Sequence, residues 1–263
     1  MKIIVCMKQV PATQQVEIDP ETGSMKRLSG NTRTNPYDLY ALEAALELRE
    51  KTGGTVTVLT MGPEHAGDMC RDAYAMGADD AVILSDERFA GSDVLATSFT
   101  LSQGVRALGG ADLIVCGRQT TDGDTAQVGP ALAEHLSLPH AAWVTEIPDV
   151  TESAITVRQS LVSVTQISKI PYPCLITVEK DANVPRLPSY LTKKATADRP
   201  VRFLHYEDLP VQDESRYGLI GSPTAVEEMF APEASEMNVE IRGADGAAKA
   251  DALFEELKKK RLI

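Results

Sequence analysis

The sequence predicts an α/β fold, a doubly wound and mostly parallel sheet, and its first 140 residues carry that prediction. Short apolar runs rich in valine, isoleucine and leucine alternate with longer segments in which apolar residues recur at helical spacing. That alternation is typical of βαβ units, whose parallel strands are covered on both faces by the connecting helices. Four such units precede Pro139, and we expect the strand order 3-2-1-4-5.

Turn residues mark the ends of the predicted elements. The strands are expected at 2–8, 55–62, 80–86 and 111–117. The helices are expected at 35–54, 63–77, 91–110 and 125–139. The first helix is the best marked, since Asn35 is a possible N-cap, Pro36 lies in the first turn and a glycine pair follows the end. The segment 11–34 is expected to be a loop.

The pattern changes after Pro139. β-branched runs without long helices between them predict further strands, some of them antiparallel at the edge of the sheet. From about residue 181 the chain is polar and dotted with prolines, which indicates an extended arm lying on another surface. An amphipathic helix should end the arm, with the apolar anchors Leu253, Phe254, Leu257 and Leu262. We therefore expect an α/β domain, 1–183, and a C-terminal arm, 184–263.

Composition excludes several classes of protein. A net charge of −12 argues against binding to nucleic acid or to an anionic membrane. The chain lacks both an apolar stretch of about 20 residues and a secretory signal pattern, so no membrane span and a cytoplasmic location are expected. The four cysteines form no C-x-x-C pair and the four histidines no H-x-x-x-H pattern, so no metal site is expected.

The most informative loop is GRQTTDGDTAQVGP, residues 117–130, which follows the fourth strand. Ligands of doubly wound sheets bind beyond the C-terminal strand ends where the strand order reverses, here between the first and fourth strands. The glycines of this loop allow close backbone approach, and a helix beginning near Thr125 would offer free N–H groups to a phosphate. Asp122 and Asp124 would repel a phosphate, so we expect them to cap that helix or to hold the loop. The N–H groups would then come from Thr125, Ala126, Gln127 and Val128.

Two interpretations of this loop remain open on composition alone. Glycine, aspartate and threonine are also the residues of an ordinary turn with a helix cap. The chain has no G-x-G-x-x-G after its first strand, no P-loop motif and no G-x-S-x-G elbow, which argues against a Rossmann dehydrogenase, a P-loop NTPase and a serine hydrolase. We favour a bound nucleotide whose own chemistry does the work, with no catalytic side chain in this chain.

Several segments, in the same order along nearly the whole chain, resemble the β subunit of electron-transferring flavoproteins. These segments are IIVCMKQVP, NPYDLYALEAALEL, TVLTMGP, DAYAMGADDAVIL, ADLIVCGRQTTDGDTAQVGPALAEHL and VPRLPSYLTKKA. The resemblance implies a heterodimer with an α subunit that carries FAD, while the β subunit binds AMP or a second FAD. Matching segments place the nucleotide site at Cys6, Asn35, Pro36, Tyr37, Asp38, Val58, Cys116, Gly117, Arg118, Gln119, Thr120, Asp122, Gly123, Asp124, Thr125, Ala126, Gln127 and Val128.

The resemblance also implies a partner-recognition loop at 184–195. In many members a leucine of this loop anchors an acyl-CoA dehydrogenase, and the matching position here is Tyr190 or Leu191. The candidate partner-binding residues are Arg186, Tyr190, Leu191 and Lys193. The departure from leucine leaves open which dehydrogenase binds, and a proline-stiffened linker remains an alternative interpretation.

Two segments, GDTAQVGP and YGLIGSPTAVEEMF, resemble the anaerobic, flavin-bifurcating members of that family. This resemblance implies a second FAD, which takes a hydride from NADH. The electrons then pass to an acyl-CoA dehydrogenase and to ferredoxin or flavodoxin. It also implies that this chain oxidises NADH only as part of the heterodimer. One alternative is a non-bifurcating subunit with a structural AMP, which passes electrons from dehydrogenases to the respiratory chain. Another is a nucleotide-binding sensor of the universal-stress type, which leaves the arm without a role.

Overall fold

The computed structural model describes residues 1–12, 17–18, 25–26, 32–225 and 239–263. The end of the YGLIGSPTAVEEMF segment, from residue 226 onward, lies outside the described residues. In the described ranges no helix combines the length and the apolar character that a bilayer crossing requires.

The described residues form thirteen strands and six α-helices. The strands are β1 (Lys2–Cys6), β2 (Gln9–Pro11), β3 (Glu17–Ile18), β4 (Met25–Lys26), β5 (Thr32–Thr34), β6 (Thr55–Met61), β7 (Asp80–Leu84), β8 (Leu113–Gly117), β9 (His140–Val150), β10 (Ala154–Leu161), β11 (Val164–Pro171), β12 (Cys174–Val178) and β13 (Arg202–Leu204). The helices are α1 (Pro36–Thr52), α2 (Gly67–Met76), α3 (Val94–Ala107), α4 (Val128–Leu136), α5 (Tyr190–Ala195) and α6 (Gly246–Lys259).

Nine strands form one sheet in the order β11-β10-β9-β12-β8-β1-β6-β7-β13. Its parallel centre, β7-β6-β1-β8-β12, confirms the predicted doubly wound order 3-2-1-4-5. Alternating side chains of these strands enter two cores, because α1 and α2 cover one face while α3 and α4 cover the other. Ile3 and Val5 pack in the first core, and Ile4 and Cys6 in the second.

The predicted antiparallel strands lie at one edge. β10 pairs antiparallel with both β9 and β11, whereas β9 joins β12 in parallel. The pairing of β9 with β12 shifts register between Ile176 and Val178. Opposite that shift lies Trp143, with a φ of 60°, which is a left-handed conformation unusual for an aromatic residue.

Two local expectations were wrong. The segment 11–34 is not wholly a loop, because β2 and β5 pair antiparallel from Gln9 opposite Thr34, and β3 pairs with β4. The helix expected from Thr125 begins at Val128. Asp124 and Ala126 have φ values of 53° and 55°, so their left-handed backbone delays the start of the helix.

The chain after residue 184 returns to the α/β domain through β13 and the residues up to Tyr217. β13 extends the sheet by pairing in parallel with β7, and Tyr206 and Tyr217 are buried in the core that α3 covers. A three-residue strand in a polar setting has too little periodicity to be read from sequence. α6 confirms the helix predicted near the end, and none of its residues is buried. The division at residue 183 stays a prediction.

Candidate nucleotide-binding site

The crevice predicted between β1 and β8 lies at the switch point of the sheet, with the N-terminus of α1 against it. Asn35 is fully buried there, and its backbone N–H donates to the Lys8 carbonyl oxygen at 2.9 Å. Its side-chain amide donates to the Gln119 carbonyl oxygen at 2.8 Å, and its side-chain oxygen accepts the Thr121 N–H at 3.2 Å. Asn35 is the N-cap residue of α1, as predicted, but its side chain makes no cap hydrogen bond. Its polar groups tie the β1 loop and the β8 loop together instead.

Asp38 is the buried carboxyl of this crevice. It accepts the Lys8 backbone N–H at 2.7 Å, and the Gly117 N–H and the Asn35 side chain lie near it as further donors. Burial raises the pKa of Asp38 from 3.8 to about 7, against these donors and the Lys8 charge, which lower it. The group therefore titrates near neutral pH.

Glycine is required at two positions beside the crevice. A Cβ on Gly117 would lie 2.7 Å from the Tyr37 carbonyl carbon, so only glycine lets the start of α1 meet the end of β8. A Cβ on Gly129 would lie 2.5 Å from Cγ2 of Thr177, where α4 crosses β12. These two contacts place the N-termini of α1 and α4 on either side of the loop 118–127.

The two carboxylates of the loop hold its shape. The Lys8 ammonium lies 2.7 Å from the Asp122 carboxylate, so this acidic group is paired. The Gln119 side-chain amide donates to the Asp124 carboxylate, and the Asp124 N–H donates to the Thr120 carbonyl oxygen at 3.0 Å. Two roles were expected for Asp122 and Asp124, and these bonds show that they hold the loop. They do not cap α4, because Gln127 occupies its N-cap without a side-chain cap bond.

Free backbone donors follow the paired carboxylates. In the part of the chain that the structure describes, the N–H groups of residues 125–129 donate to no protein acceptor. Val128 and Gly129 form the first turn of α4, where unpaired N–H groups and the helix dipole favour an anion. The arrangement can bind a phosphate through main-chain groups while the neighbouring carboxylates are held in the loop.

Arg118 is committed to a second set of contacts. Its guanidinium lies 2.6 Å from the Glu179 carboxylate and 4.7 Å from the centre of the Trp143 ring. Its Nε atom is buried and meets no acceptor among the described residues. No local pattern in the sequence indicates that Glu179 and Trp143 contact Arg118, because only the fold brings these segments together.

Cys6 and Cys116 lie opposite each other on β1 and β8, next to the loops. The Cys6 hydrogen bond and burial raise the pKa of the Cys116 thiol well above 9, so this thiol is neutral. Both side chains are nearly buried, at 8% and 6% exposure. They form a floor on the α3 and α4 side of the sheet.

Val58 lies away from the crevice loops. Its side chain is fully buried, and it is paired with Val5 and Ala81 inside the sheet. The residue at the C-terminal end of β6 is Met61, which borders a cavity of about 810 Å³ between the ends of β6 and β7. The strand-ending turn MGP was the signal that could have selected Met61.

The predicted recognition residues divide into an anchor and an exposed pair. The Arg186 guanidinium donates to the Glu43 carboxylate at 2.8 Å and to the Glu50 carboxylate at 2.6 Å. The Glu43 side chain is only 5% exposed, and both glutamates lie on α1, so Arg186 anchors the loop to that helix. Tyr190 and Leu191 begin α5 and are 77% and 76% exposed. Lys193 lies 3.9 Å from the Asp72 carboxylate on α2.

Comparison with known proteins identifies the family of this fold and site. The electron transfer flavoprotein domain matches residues 22–204. The chain is 40% identical to "Caffeyl-CoA reductase-Etf complex subunit CarD" of Acetobacterium woodii over the whole of both chains. It is 43% identical to "Protein FixA" of Azorhizobium caulinodans, over 99% of this chain and 95% of the relative. It is 41% identical to "Electron transfer flavoprotein subunit beta" of Clostridium acetobutylicum, over 89% of each chain. The chain belongs to the electron transfer flavoprotein family, as a subunit of the β type.

Proposed function

We propose that this β-type subunit binds FAD in the crevice between β1 and β8 and works in a flavin-bifurcating heterodimer. The heterodimer takes a hydride from NADH and delivers electrons to an acyl-CoA dehydrogenase and to ferredoxin or flavodoxin, in the cytoplasm. The α subunit carries a further FAD. The observation that carries the proposal is the run of N–H groups at 125–129 that no described residue accepts, beside the carboxylates of Asp122 and Asp124, which are already held.

The donor set fits the adenylate part of the cofactor. Main-chain N–H groups at the start of α4 suit a phosphate oxygen, and the positive φ values of Asp124 and Ala126 are typical of main-chain anion-binding nests. The ion pairs Lys8–Asp122 and Arg118–Glu179 leave these cations partly neutralised. Such a site favours a phosphate ester of low charge over a triphosphate.

The remaining candidate residues shape the crevice and exclude water from it. Asn35 and Asp38 join the start of α1 to both loops, so a ligand meets an ordered wall rather than two free loops. Cys6 and Cys116 are nearly buried, and the raised pKa of the Cys116 thiol keeps that thiol neutral. A flavin bound here would supply the electron chemistry, while this chain binds and orients its adenylate end.

The names of relatives support the larger assembly. One relative is named as a subunit of a caffeyl-CoA reductase–Etf complex, and another, 39% identical over the whole of both chains, is "Acryloyl-CoA reductase electron transfer subunit gamma" of Anaerotignum propionicum. Both names refer to reduction of acyl-CoA compounds. We propose that the exposed Tyr190 and Leu191 meet such a dehydrogenase, and that the apolar side of α6 meets the α subunit.

A count of bound nucleotides tests the proposal. The heterodimer is purified intact, denatured, and its released FAD and AMP are separated and measured per αβ pair. Two FAD and no AMP, together with bleaching of the flavin absorbance by NADH, are expected. One FAD and one AMP would overturn the assignment of FAD to this chain and support a structural AMP. A monomer that holds neither would overturn the heterodimer itself.

A further inference from the structure

The Asp38 carboxyl lies where three parts of the crevice meet. It accepts the Lys8 N–H after β1 at 2.7 Å, and the Gly117 N–H at the end of β8 and the Asn35 side chain before α1 lie near it and lower its pKa. All three neighbours are hydrogen-bond donors, and an ionised carboxylate is acceptor-only, so this arrangement matches the charged form. The position of Asp38 in the first turn of α1 also favours a negative charge.

Protonation breaks this match. A carboxylic acid must donate its own proton, and two of these three neighbours are backbone N–H groups that cannot accept one. Of the three, only Asn35 has an acceptor, and that oxygen already accepts the Thr121 N–H at 3.2 Å. If Asn35 turns to accept the Asp38 proton, the bonds that its amide makes to Gln119 and Thr121 are lost, and the loop that follows β8 is released.

We propose that Asp38 is a positioning residue whose ionisation closes the β8 loop around the nucleotide, so that proton uptake by this side chain opens the crevice and weakens binding. This inference rests on the proposed nucleotide site, which it deepens by assigning its regulation. In this role the Asp38 carboxyl acts on the nucleotide through Asn35 and the loop.

The surroundings place the transition in a usable range. Burial raises the pKa of Asp38 to about 7. The titratable groups that face it are Lys8 on the β1 side and the Cys116 thiol on β8, and the Lys8 ammonium is itself held by Asp122. If only the ionised form holds the loop closed, the apparent affinity follows the ionised fraction and falls roughly tenfold between pH 8 and pH 6.

The test uses the full-length chain in complex with its α subunit, stripped of nucleotide. The probe is FAD, because the pyrophosphate of FAD does not titrate near pH 7. The FAD dissociation constant is measured from pH 6 to pH 8 for the wild type and for Asp38→Asn. The amide that this variant introduces has one acceptor and one donor where the carboxylate has two acceptors, so it imitates the protonated acid at every pH. Asp68→Asn, on the exposed side of α2, is the matched control.

Amide hydrogen exchange of residues 118–124, corrected for the intrinsic effect of pH, is measured on the same nucleotide-free samples. We expect the FAD affinity of the wild type to fall about tenfold towards pH 6, while amide exchange of the loop becomes faster. The Asp38→Asn variant should bind FAD weakly and show fast loop exchange at all pH values. The Asp68→Asn variant should follow the wild type in both measurements. A wild-type loop whose exchange does not change between pH 8 and pH 6, or an Asp38→Asn loop as protected as the wild type at pH 8, would overturn the inference. If FAD binds to no sample but the exchange pattern holds, the proposed function fails while the role of Asp38 in closing the loop stands.

Discussion

The Lys8 ammonium and the Asp122 carboxylate, 114 residues apart in the sequence, form an ion pair of 2.7 Å across the crevice. The pair joins the loop after β1 to the loop after β8. It also provides a counter-charge for an acidic group that lies next to the proposed phosphate site. The same pair therefore contributes to the shape of the crevice and to its electrostatics.

Replacing Lys8 by methionine should weaken nucleotide binding without unfolding the domain. Both side chains are partly exposed, so the pair is worth about 1 kcal/mol, and its loss predicts a roughly fivefold higher FAD dissociation constant. The double variant Lys8→Met/Asp122→Asn should recover most of the affinity, because it removes the uncompensated carboxylate as well. Titration of the three proteins with FAD checks this. Equal weakening in the single and double variants would show that the lysine acts in some other way.

Replacing Gly129 by alanine should destabilise the domain and disturb the phosphate site together. The added methyl group would lie 2.5 Å from Thr177 Cγ2, so α4 must move away from β12, at a cost of about 1–3 kcal/mol. Gly123→Ala is the matched control, since the nearest atom to its Cβ is Thr120 Oγ1 at 3.5 Å. Denaturant unfolding of both variants provides the comparison. Equal free energies of unfolding would contradict the close contact described for α4.

The fold was predictable where the sequence is periodic. The parallel centre of the sheet follows from buried apolar runs such as 55–61. Helix α1 ends at its glycine pair as expected, and the Gly53 N–H donates to the Arg49 carbonyl oxygen. The late start of α4 was not predictable, because the left-handed Asp124 is held by hydrogen bonds to Thr120 and Gln119 that form only in the folded loop.

The candidate site was predictable as a set of loops rather than as a set of contacts. Topology alone places 117–128 beside the end of β1. The partners that organise this loop, Lys8, Asn35 and Glu179, come from other elements, so their pairing has no local signal in the sequence. The same holds for Glu43, a buried carboxylate that meets Arg186 only when the recognition loop crosses α1.

Replacing Arg186 by alanine should detach the recognition loop and destabilise the protein. The change leaves Glu43 nearly buried without its cation, which we expect to cost about 2–4 kcal/mol. Arg71→Ala serves as the control, because its pair with Asp68 is exposed and should contribute less than about 1 kcal/mol. Thermal unfolding of the two variants tests the difference. If Arg186→Ala is no less stable than Arg71→Ala, the anchoring role is wrong.

Replacing Tyr190 by alanine should impair electron delivery to a dehydrogenase while leaving the fold and the bound nucleotide unchanged. The side chain is 77% exposed and makes little contact with its own domain, but an exposed aromatic is typical of an interface anchor. We expect the KM for the dehydrogenase to rise at least about tenfold, which is the loss typical of an anchor residue. Steady-state transfer at varied dehydrogenase concentration measures this. An unchanged KM would favour the interpretation of 184–195 as a linker.

Deleting residues 246–263 should abolish association with the α subunit. Leu253 and Phe254 of α6 are 46% and 54% exposed, and no residue of the helix is buried against its own domain. The α/β domain should therefore keep its melting temperature within about 1–2 °C, since surface changes remote from the core are nearly neutral. Co-purification with a tagged α subunit is the readout. A truncated chain that still co-purifies would place the interface elsewhere.

The central claim is that main-chain donors at 125–129 hold the phosphate of an adenine nucleotide. A crystal structure of the heterodimer isolated with its native nucleotide tests it most directly. The account predicts phosphate oxygens within about 3 Å of the N–H groups of Ala126, Gln127 or Val128, which is ordinary hydrogen-bonding distance. A crevice filled by protein side chains, or a nucleotide whose phosphate lies away from the start of α4, would contradict it.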